Sequence, residues 1–392
     1  MGITKMKICI LSCFEDLILK DTGPSTRIYH LAKGVASLGN KVRVIIPTYK
    51  VTYEYVDGVV VHGIKGFCPK VVLKIFGKLF GVSRLTSLLF YDFLFISRVA
   101  KIVREYDIVQ IEQQAAGGIL IPIITRILKK PLVVDCHDTF QAFRVRHTST
   151  IRKILETFLE TIAYKCANVI LTVSKREKEC LISYGVRQRN IKVIPNGVDI
   201  EAFNPLLDVT HIQNRYGLRN FYTVIFVGNM EYLPNQEAVQ LIASEIAPRV
   251  QKVVNNTKFL IVGRIPAKIE LPNLTFTGVV GNVADFLAAS DVAIAPLLHG
   301  SGTRLKILEY FSCCLPVVST TVGIEGLDVK SEVNVLIEDD VNEFAIKVTK
   351  LLRDKTLSMR LGKAARELVI NEYDWKKIAR QLNTVYHESL LE

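Results

Sequence analysis

The most informative stretch of this chain is Gly300-Ser-Gly-Thr-Arg-Leu-Lys-Ile-Leu-Glu309, followed by Leu315-Pro-Val-Val-Ser319 and a second glycine-containing turn. The pattern predicts a glycine-rich turn, a short helix and then a buried strand. The start of a helix offers unpaired backbone N–H groups and the positive end of the helix dipole, so an anion can bind there. Gly300 and Gly302 let the backbone approach that anion closely, and Lys306 adds a positive charge.

Glu309 lies three residues after Lys306 and therefore on nearly the same face of the predicted helix. A carboxylate close to a bound diphosphate can accept hydrogen bonds from ribose hydroxyls, so the segment is suited to a nucleoside diphosphate. Glycine-rich turns between strand and helix also occur in other α/β proteins, and a lysine and glutamate at this spacing can be a solvated pair. These residues alone leave both interpretations open.

Length and composition indicate a globular protein of two domains. The chain has 392 residues, of which 49% are hydrophobic, and this excludes a disordered protein. Its eight cysteines form no Cys-x-x-Cys pair and mostly lie in apolar runs, so we expect buried thiols in a reducing compartment. With no signal peptide and no uncharged apolar run of the roughly 18 residues that a bilayer span needs, we expect a cytoplasmic protein.

The net charge of +12 is unevenly distributed along the chain. Residues 1–200 carry 30 Lys and Arg against 16 Asp and Glu, whereas residues 201–392 carry 20 against 22. A basic half indicates an anionic partner surface for that half. The sequence contains no helix-turn-helix, zinc-finger or RNP-like pattern, so we expect no nucleic-acid partner.

The segment 65–104 is the most specific part of the basic half. It contains eight basic residues and a single acid, Asp92. Lys70, Lys74 and Lys78 fall at i, i+4 and i+8, which is one stripe of a helix, beside bulky apolar and aromatic residues. Such a pattern is typical of a helix lying on an anionic membrane. The alternative is a core helix whose outer face carries lysines.

Short apolar strands alternate with helical patterns along the whole chain. Strands are predicted at 7–12, 42–47, 58–63, 107–111, 131–135, 168–173, 191–194, 223–227, 258–262, 274–277, 292–296 and 315–319. This alternation indicates an α/β fold with two doubly wound, Rossmann-like domains facing each other across a cleft, and ligands at the carboxyl ends of the strands. We place the domains at 1–204 and 205–372, with a helix at 373–392 that packs back on the first domain.

Landmarks in order along the chain resemble the retaining, nucleotide-sugar-dependent glycosyltransferases of family 4, which have the GT-B fold. The landmarks are Thr22-Gly-Pro-Ser-Thr-Arg27, Asp135-Cys-His-Asp138, Val173-Ser-Lys175, Ile194-Pro-Asn-Gly-Val-Asp199, Phe226-Val-Gly-Asn229, Ile261-Val-Gly-Arg264, Phe276-Thr-Gly-Val279, residues 300–309 and Tyr373-Asp-Trp375. The resemblance covers essentially the whole chain. The pattern Gly-Asn-Met-Glu-Tyr-Leu-Pro-Asn235 also resembles a subgroup associated with exopolysaccharide and cell-envelope sugars.

The resemblance implies an enzyme that moves a sugar from a UDP- or GDP-sugar to a glycan or lipid-linked acceptor, with retention of configuration. It implies acceptor binding by the first domain and donor binding by the second. His137 and Lys306 take the catalytic positions, and His137 is expected beside the donor sugar. The alternative for His137 is that it only caps backbone groups at the end of a strand. The implied donor-binding residues are Gly23, Gly228, Asn229, Arg264, Val279, Ser301, Gly302, Thr303, Arg304, Lys306 and Glu309. Gly23 can instead serve a tight turn, and Arg264 can be a surface residue.

Two departures from the family pattern bear on catalysis. The family typically carries two acids in a Glu-x7-Glu spacing, but Ser301 stands where the first acid is expected before Glu309. The Arg and Lys that commonly follow the first strand of the second domain are replaced by Asn229 and Asn235. The cations nearest to a donor diphosphate are then Arg304 and Lys306.

No Asp-x-Asp motif stands at a strand end, so we expect neither a metal nor another cofactor. The family expectation is a front-face reaction in which the departing phosphate accepts the acceptor proton. We expect the protein to work at the cytoplasmic face of the cell membrane without spanning it. Two alternatives of the same fold stay open from the residues: a sugar-nucleotide 2-epimerase and a non-catalytic sugar-nucleotide binding protein. A third, a nucleic-acid binder, would explain the basic half but would leave Lys306 and Glu309 unexplained.

Overall fold

The structure, a computed structural model, describes residues 5–12, 23–48, 51–65, 93–112, 120–137, 161–265, 271, 273–300 and 302–391. Its chain forms two compact units, the first made of Met1–Pro195 with Trp375–Glu392 and the second of Asn196–Asp374. Each unit holds one sheet flanked by helices, which confirms the α/β class expected from the alternating pattern.

The first unit contains an eight-stranded sheet in the order β3-β4-β2-β1-β5-β6-β7-β8. The strands are β1 Lys7–Leu11, β2 Lys41–Thr48, β3 Thr52–Val56, β4 Val59–Lys65, β5 Ile108–Glu112, β6 Leu132–Cys136, β7 Val169–Thr172 and β8 Ile191–Val193. All neighbours pair in parallel except β3 and β4, which form an antiparallel hairpin at the edge. The α-helices in the described part of this unit include Gly23–Ser37, Phe93–Arg104, Leu120–Ile127, Lys175–Ser183 and Trp375–Leu391.

The strands of this sheet are apolar on both faces because each face is covered by helices. In β1, Ile8 and Ile10 belong to the core on one side of the sheet. Cys9 and Leu11 point to the core on the other side. The continuous apolar run therefore supplies two cores at once, as a parallel sheet requires.

The helix Trp375–Leu391 belongs to the first unit and packs on Gly23–Ser37. Asn40 Nδ2 donates to Asn383 Oδ1 at 2.7 Å, and the Trp375 ring stacks on His30. The chain divides after Pro195, nine residues before the boundary that the sequence indicated. The reason is local pairing: Val198 N donates to Tyr373 O, so the segment after Pro195 is already part of the second unit.

The second unit contains a six-stranded parallel sheet in the order β11-β10-β9-β12-β13-β14. The strands are β9 Tyr222–Val227, β10 Thr257–Val262, β11 Leu274–Gly278, β12 Val292–Ala295, β13 Val317–Ser319 and β14 Leu336–Ile337. The helices are Thr210–Tyr216, Leu233–Leu241, Ala247–Val253, Val283–Ala288, Leu305–Ser312, Val341–Arg353 and Lys355–Glu372. Read from its own first strand, this sheet has the 3-2-1-4-5-6 order of a doubly wound Rossmann fold.

The strand order reverses once in each parallel array, and such switch points bind ligands outside the carboxyl ends of the strands. The reversal lies between β1 and β5 in the first unit and between β9 and β12 in the second. Functional side chains are therefore expected at these two switch points.

Some sequence predictions fall outside the described residues, namely Ser301 and the three lysines of the predicted membrane stripe, Lys70, Lys74 and Lys78. Within the described ranges, no helix is both long enough and apolar enough to cross a bilayer.

Candidate functional site

The switch point of the second unit is formed by the loops that follow β9 and β12. Gly228 and Asn229 come directly after β9, and the glycine turn at 300–302 lies between β12 and the helix Leu305–Ser312. That helix is fixed to the end of β9 because the Tyr310 hydroxyl accepts a hydrogen bond from Val227 N at 2.8 Å. Buried packing thus positions the face of the helix that carries Lys306 and Glu309.

Lys306 is held by an amide rather than by a carboxylate. Its Nζ donates to Asn235 Oδ1 at 2.9 Å and lies 4.2 Å from the centroid of the Phe226 ring. Asn235 Nδ2 in turn donates to Asn229 O at 2.8 Å. A Cβ at Gly228 would lie 2.8 Å from Asn235 Nδ2, so a glycine is needed for this asparagine to reach the lysine.

The environment of Lys306 disfavours its charge in the absence of a ligand. Burial lowers the pKa of the ammonium group to about 7, and the Arg304 charge acts in the same direction, while Glu309 partly opposes them. A phosphate at this point would supply the missing counter-charge and raise the pKa again. The arrangement is therefore suited to anion binding.

Glu309 lies one turn along the helix from Lys306. Burial raises the pKa of its carboxyl group to about 7, and the nearby Lys306 only partly offsets this effect. The pair is thus a half-buried acid and base, both titrating near neutrality. Hydroxyl groups of a ligand could stabilise the Glu309 carboxylate by donating hydrogen bonds to it.

The glycine turn before this helix has a backbone that only glycine adopts readily. Gly300 has φ 140° and Gly302 has φ 72°. The Arg304 side chain folds back over the turn, donating from Nη1 to Gly302 O at 3.0 Å, and a Cβ at Gly300 would overlap the guanidinium group. The Thr303 hydroxyl is buried and makes no hydrogen bond to any residue that the structure describes. A buried hydroxyl in this state is available to a ligand.

Arg264 and Val279 lie at the carboxyl ends of the neighbouring strands β10 and β11. Arg264 Nη1 is 3.8 Å from Glu231 Oε2 and both side chains are about half exposed, at 50% and 52%. Val279 is 72% exposed and follows Gly278, which has φ 71°. Asn229 Oδ1 accepts from Glu231 N at 2.9 Å, so this side chain orders its own loop.

The switch point of the first unit brings Ser12, Glu112 and His137 together. Ser12 Oγ donates to Glu112 Oε2 at 3.1 Å, joining the ends of β1 and β5. His137 follows β6, with its Nε2 3.7 Å from Glu112 Oε1 and its Nδ1 4.0 Å from Asp135 Oδ2. Gly23, the first residue of the helix Gly23–Ser37, belongs to the same unit.

The charges around His137 favour its protonated form. Burial lowers the pKa of the imidazole, but the Asp135 and Glu112 carboxylates raise it by more, so the net shift is upward. Burial likewise raises the pKa of Glu112, against the opposing effect of His137. A protonated His137 has two N–H donors; Nε2 lies 3.7 Å from Glu112 Oε1 and Nδ1 lies 4.0 Å from Asp135 Oδ2, so neither makes a short hydrogen bond to these carboxylates. The imidazole can therefore donate to a ligand.

A buried ion pair between Arg27 and Asp135 holds one of the two carboxylates that lie near His137. The Arg27 guanidinium, 1% exposed, donates from Nε to Asp135 Oδ2 at 3.0 Å and from Nη2 to Oδ1 at 2.9 Å. Its Nη1 donates to Pro195 O at 2.9 Å. Gln110 Nε2 contacts the same carboxylate, and the Tyr386 hydroxyl donates to Gln110 Oε1.

Three residues of the two sites, Asn235, Glu112 and Arg27, were not predicted to have functional roles. Signals for two of them were present. Glu112 ends the mostly apolar strand Ile108-Val-Gln-Ile-Glu112, and a carboxylate at the carboxyl end of a parallel strand lies at the edge of the sheet where ligands bind. Arg27 stood inside a quoted landmark, but nothing in the local pattern indicated that its charge is buried against Asp135.

Two family models match the chain. The model Glycosyltransferase Family 4 matches residues 22–202, and the model Glycosyl transferases group 1 matches residues 222–354. Each match falls mainly on one of the two units. With the two parallel sheets, they show that the chain belongs to the family 4 glycosyltransferases and has the GT-B fold.

Individual proteins similar to the chain agree with this assignment. UDP-Gal:alpha-D-GlcNAc-diphosphoundecaprenol alpha-1,3-galactosyltransferase of Escherichia coli is 28% identical over 300 residues, which are 72% of this chain and 75% of that protein. A glycosyltransferase from Rickettsia africae ESF-5 has a TM-score of 0.74 at 16% identity, covering 99% of both chains. Anabaena Alr3699/HepE, solved in complex with UDP, also gives 0.74 at 16% identity, covering 98% of this chain and 100% of its own.

Across the described ranges, no group of three or more His, Cys, Asp and Glu side chains is close enough together to hold a metal ion.

Proposed function

We propose that the protein transfers a glycosyl group from a UDP- or GDP-sugar to a glycan or lipid-linked acceptor. The single observation that carries the proposal is the environment of Lys306. Its Nζ donates a hydrogen bond to the neutral Asn235 amide and lies over the face of the Phe226 ring. The described residues place no carboxylate within ion-pair distance of that nitrogen. In this proposal a bound diphosphate supplies the counter-charge that Lys306 lacks, and Glu309 on the same helix face accepts hydrogen bonds from the ribose.

Donor activation in this proposal is electrostatic. The bond between the anomeric carbon and the diphosphate oxygen breaks, and negative charge accumulates on the departing phosphate. Lys306, the Thr303 hydroxyl and the N–H groups at the start of the helix Leu305–Ser312 stabilise that charge. The cationic side chain provides the stabilisation for which other transferases use a divalent ion, so we propose that the reaction is independent of metal.

We further propose retention of anomeric configuration through a front-face reaction. The acceptor oxygen attacks the anomeric carbon on the face that the diphosphate leaves, and the acceptor proton passes to the departing phosphate oxygen. The transition state resembles an oxocarbenium ion. His137, whose pKa is raised by Asp135 and Glu112, donates a hydrogen bond to a hydroxyl of the transferred sugar.

The proposed acceptor is lipid-linked and is met at an anionic membrane surface. The Escherichia coli relative acts on a diphosphoundecaprenol-linked sugar. Residues 1–200 carry a charge excess that suits an anionic leaflet, and the predicted stripe Lys70, Lys74 and Lys78 would contact it. Changing all three lysines to glutamate is expected to abolish sedimentation with phosphatidylglycerol vesicles while leaving nucleotide affinity unchanged.

A direct assay tests the proposal. Purified protein is incubated with UDP- and GDP-sugars and a membrane lipid extract, with and without EDTA, and release of the nucleotide is measured. Acceptor-dependent release that persists in EDTA, and an NMR spectrum of the product showing the donor's anomeric configuration, are expected. Donor binding without release in any extract would instead indicate a non-catalytic binding protein. Conversion of the donor into a second sugar nucleotide would indicate the epimerase.

A further inference from the structure

The first unit contains a second concave site, at the edge of its sheet opposite to His137. A cavity of about 940 Å³ opens there. Four of its lining residues, Asp107, Pro131, Asn168 and Asn190, each immediately precede one of the strands β5 to β8. The cavity therefore lies at the amino ends of four adjacent strands. Strand β5, with five residues at about 3.3 Å per residue, separates Asp107 at the cavity from Glu112 at the carboxyl end by roughly 16 Å.

The side chains around this cavity are strongly basic. The described lining residues include five cations, Arg126, Lys129, Lys130, Lys165 and Arg189. None of these five is in an ion pair with any residue in the described part of the chain. Arg126 Nη1 donates to Lys165 O at 3.0 Å, which fixes the guanidinium at the rim.

The acid among the described lining residues is already engaged. Asp107 Oδ2 accepts a hydrogen bond from Lys7 N at 2.7 Å, tying the starts of β1 and β5 together. It therefore neutralises at most one of the five positive charges. Cations gathered in a concavity without counter-ions repel one another, and their combined field attracts anions into the cavity.

One of the five cations, Lys129, has an unfavourable backbone conformation. Lys129 has φ 52°, the left-handed conformation that ends the helix Leu120–Ile127 and that glycine or asparagine adopts more readily. Its N–H donates to Arg126 O at 3.0 Å. A lysine at this position places an additional charge at the cavity.

We propose that this cationic pocket binds an anion that carries two or more phosphate groups. Guanidinium and ammonium groups are the side chains that bind phosphate in proteins, and the half-buried amides of Asn168 and Asn190 can add hydrogen bonds. Its volume is in the range of pockets that enclose small ligands, about 300–1,000 Å³. The phosphates can belong to a soluble oligophosphate or to lipid headgroups. The pocket is separate from the proposed transfer site and does not depend on it.

The test uses inorganic tripolyphosphate as the soluble probe and phosphatidylcholine vesicles containing phosphatidic acid as the lipid probe. All proteins carry Lys306→Met, so that the candidate donor site does not contribute. Neutralising the pocket with Lys129→Gln, Lys165→Gln and Arg189→Gln is expected to weaken binding of one probe at least tenfold. Loss for tripolyphosphate in calorimetry identifies a soluble ligand, and loss only for vesicles identifies a lipid headgroup.

A matched control removes the same charge elsewhere in the first unit. The exposed residues Lys41, Lys101 and Arg104 are changed to glutamine, and affinity for the probes is expected to fall less than threefold. If both triple variants lose affinity equally, the effect is one of net charge and the pocket proposal is overturned.

A second measurement needs no substitution in the pocket. Lys129 and Lys165 are exposed, so acetic anhydride should acetylate them in the protein without ligand, as mass spectrometry would show. Tripolyphosphate or the phosphatidic acid vesicles should protect both lysines at least fivefold, and leave Lys41 unprotected. Unchanged acetylation of Lys129 and Lys165 with both probes would overturn the proposal.

Discussion

Lys306 Nζ donates a hydrogen bond to Asn235 Oδ1 at 2.9 Å, although 71 residues separate the two in the sequence. The amide orients the ammonium group without neutralising it. A carboxylate at position 235 would instead raise the pKa of Lys306 and occupy its charge. The family pattern places cations at positions 229 and 235, and here two asparagines order the loop and the remaining lysine.

We expect Lys306→Met to reduce kcat/KM by about 2–4 kcal/mol, the usual cost of losing one preorganised electrostatic contact. The same change should not lower the melting temperature, because the folded protein disfavours the lysine charge. Activity is measured by nucleotide release and stability by calorimetry. Lys363→Met, on the exposed face of Lys355–Glu372, is the control and should leave kcat/KM unchanged.

The lowered pKa of Lys306 should make the free energy of unfolding depend on pH. The pKa of this lysine is lowered from 10.5 to about 7 on folding, so the unfolded chain binds more protons between these values. Stability of the wild type relative to Lys306→Met should therefore rise as the pH increases from about 7 to 10.5. Urea unfolding of both proteins at pH 7 and 9 checks the sign. A wild type that loses stability relative to Lys306→Met between these two pH values would contradict the prediction.

Nucleoside diphosphate affinity should decrease as the pH rises above about 7. Binding restores the charge of Lys306, so a proton is taken up where the free protein has lost it. The terminal phosphate, with a pKa of about 6, is already ionised in this window. Titration calorimetry at pH 8 in buffers of different ionisation enthalpy measures the uptake. Lys306→Met should abolish it, and identical uptake in that variant would exclude Lys306 as the responsible group.

Glu309→Gln should weaken nucleoside diphosphate binding by about 1.5–3 kcal/mol, the contribution of a hydrogen bond to a charged acceptor. The measurement belongs at pH 8.5, where the carboxyl group, with its pKa near 7, is ionised. Inorganic diphosphate, which lacks ribose, is the matched ligand and should not bind more weakly to the variant. Equal loss for both ligands would mean that Glu309 acts on the phosphates or on folding.

Breaking the buried pair in the first unit should destabilise the protein by about 3–5 kcal/mol. Either Arg27→Met or Asp135→Leu leaves one uncompensated charge in a site that is at most 1% exposed. The double variant should recover much of this loss, because neither charge then remains. Urea unfolding of the four proteins forms a double-mutant cycle, and additive losses would show that the pair is not coupled.

Glu112→Gln should lower the pKa of His137, because it removes one of the two carboxylates that raise it. NMR titration of the imidazole signals measures the change. Glu105→Gln, a substitution of an exposed acid just before β5, serves as the control. An unchanged pKa in Glu112→Gln would show that Asp135 alone sets the protonation of His137.

The main architecture could be predicted because parallel strands buried on both faces are continuous apolar runs. Strand β3 was missed, since Thr52–Val56 is an exposed edge strand, with Tyr53 65% and Tyr55 76% exposed. The Asp57-Gly58 turn was nevertheless a hairpin signal, and both residues have positive φ. The helix Leu120–Ile127 was missed because it is only eight residues long, is rich in isoleucine and contains Pro122, a composition that does not distinguish a short helix from a strand.

The candidate site was predictable where local spacing defines it. Lys306 and Glu309 share one helix face, so their neighbourhood follows from the sequence alone. The contact of Lys306 with Asn235 joins distant loops, and it depends on the sheet order that brings β9 beside β12. The charge states of Lys306, Glu309 and His137 depend on burial, which a sequence pattern does not specify for polar groups at a strand or helix end.

The place of Trp375–Leu391 in the first unit has a consequence for biosynthesis. A ribosome completes all eight strands of that unit's sheet and then the entire second unit before the helix that covers Gly23–Ser37 has been made. Until residues 375–391 emerge, Asn40 lacks Asn383 and Gln110 lacks Tyr386, and part of the apolar core stays open to water. The second unit, continuous from Asn196 to Asp374, can complete its own fold first. Nascent chains stalled before residue 375 should therefore bind chaperones through the first unit, even though its sheet was synthesised first.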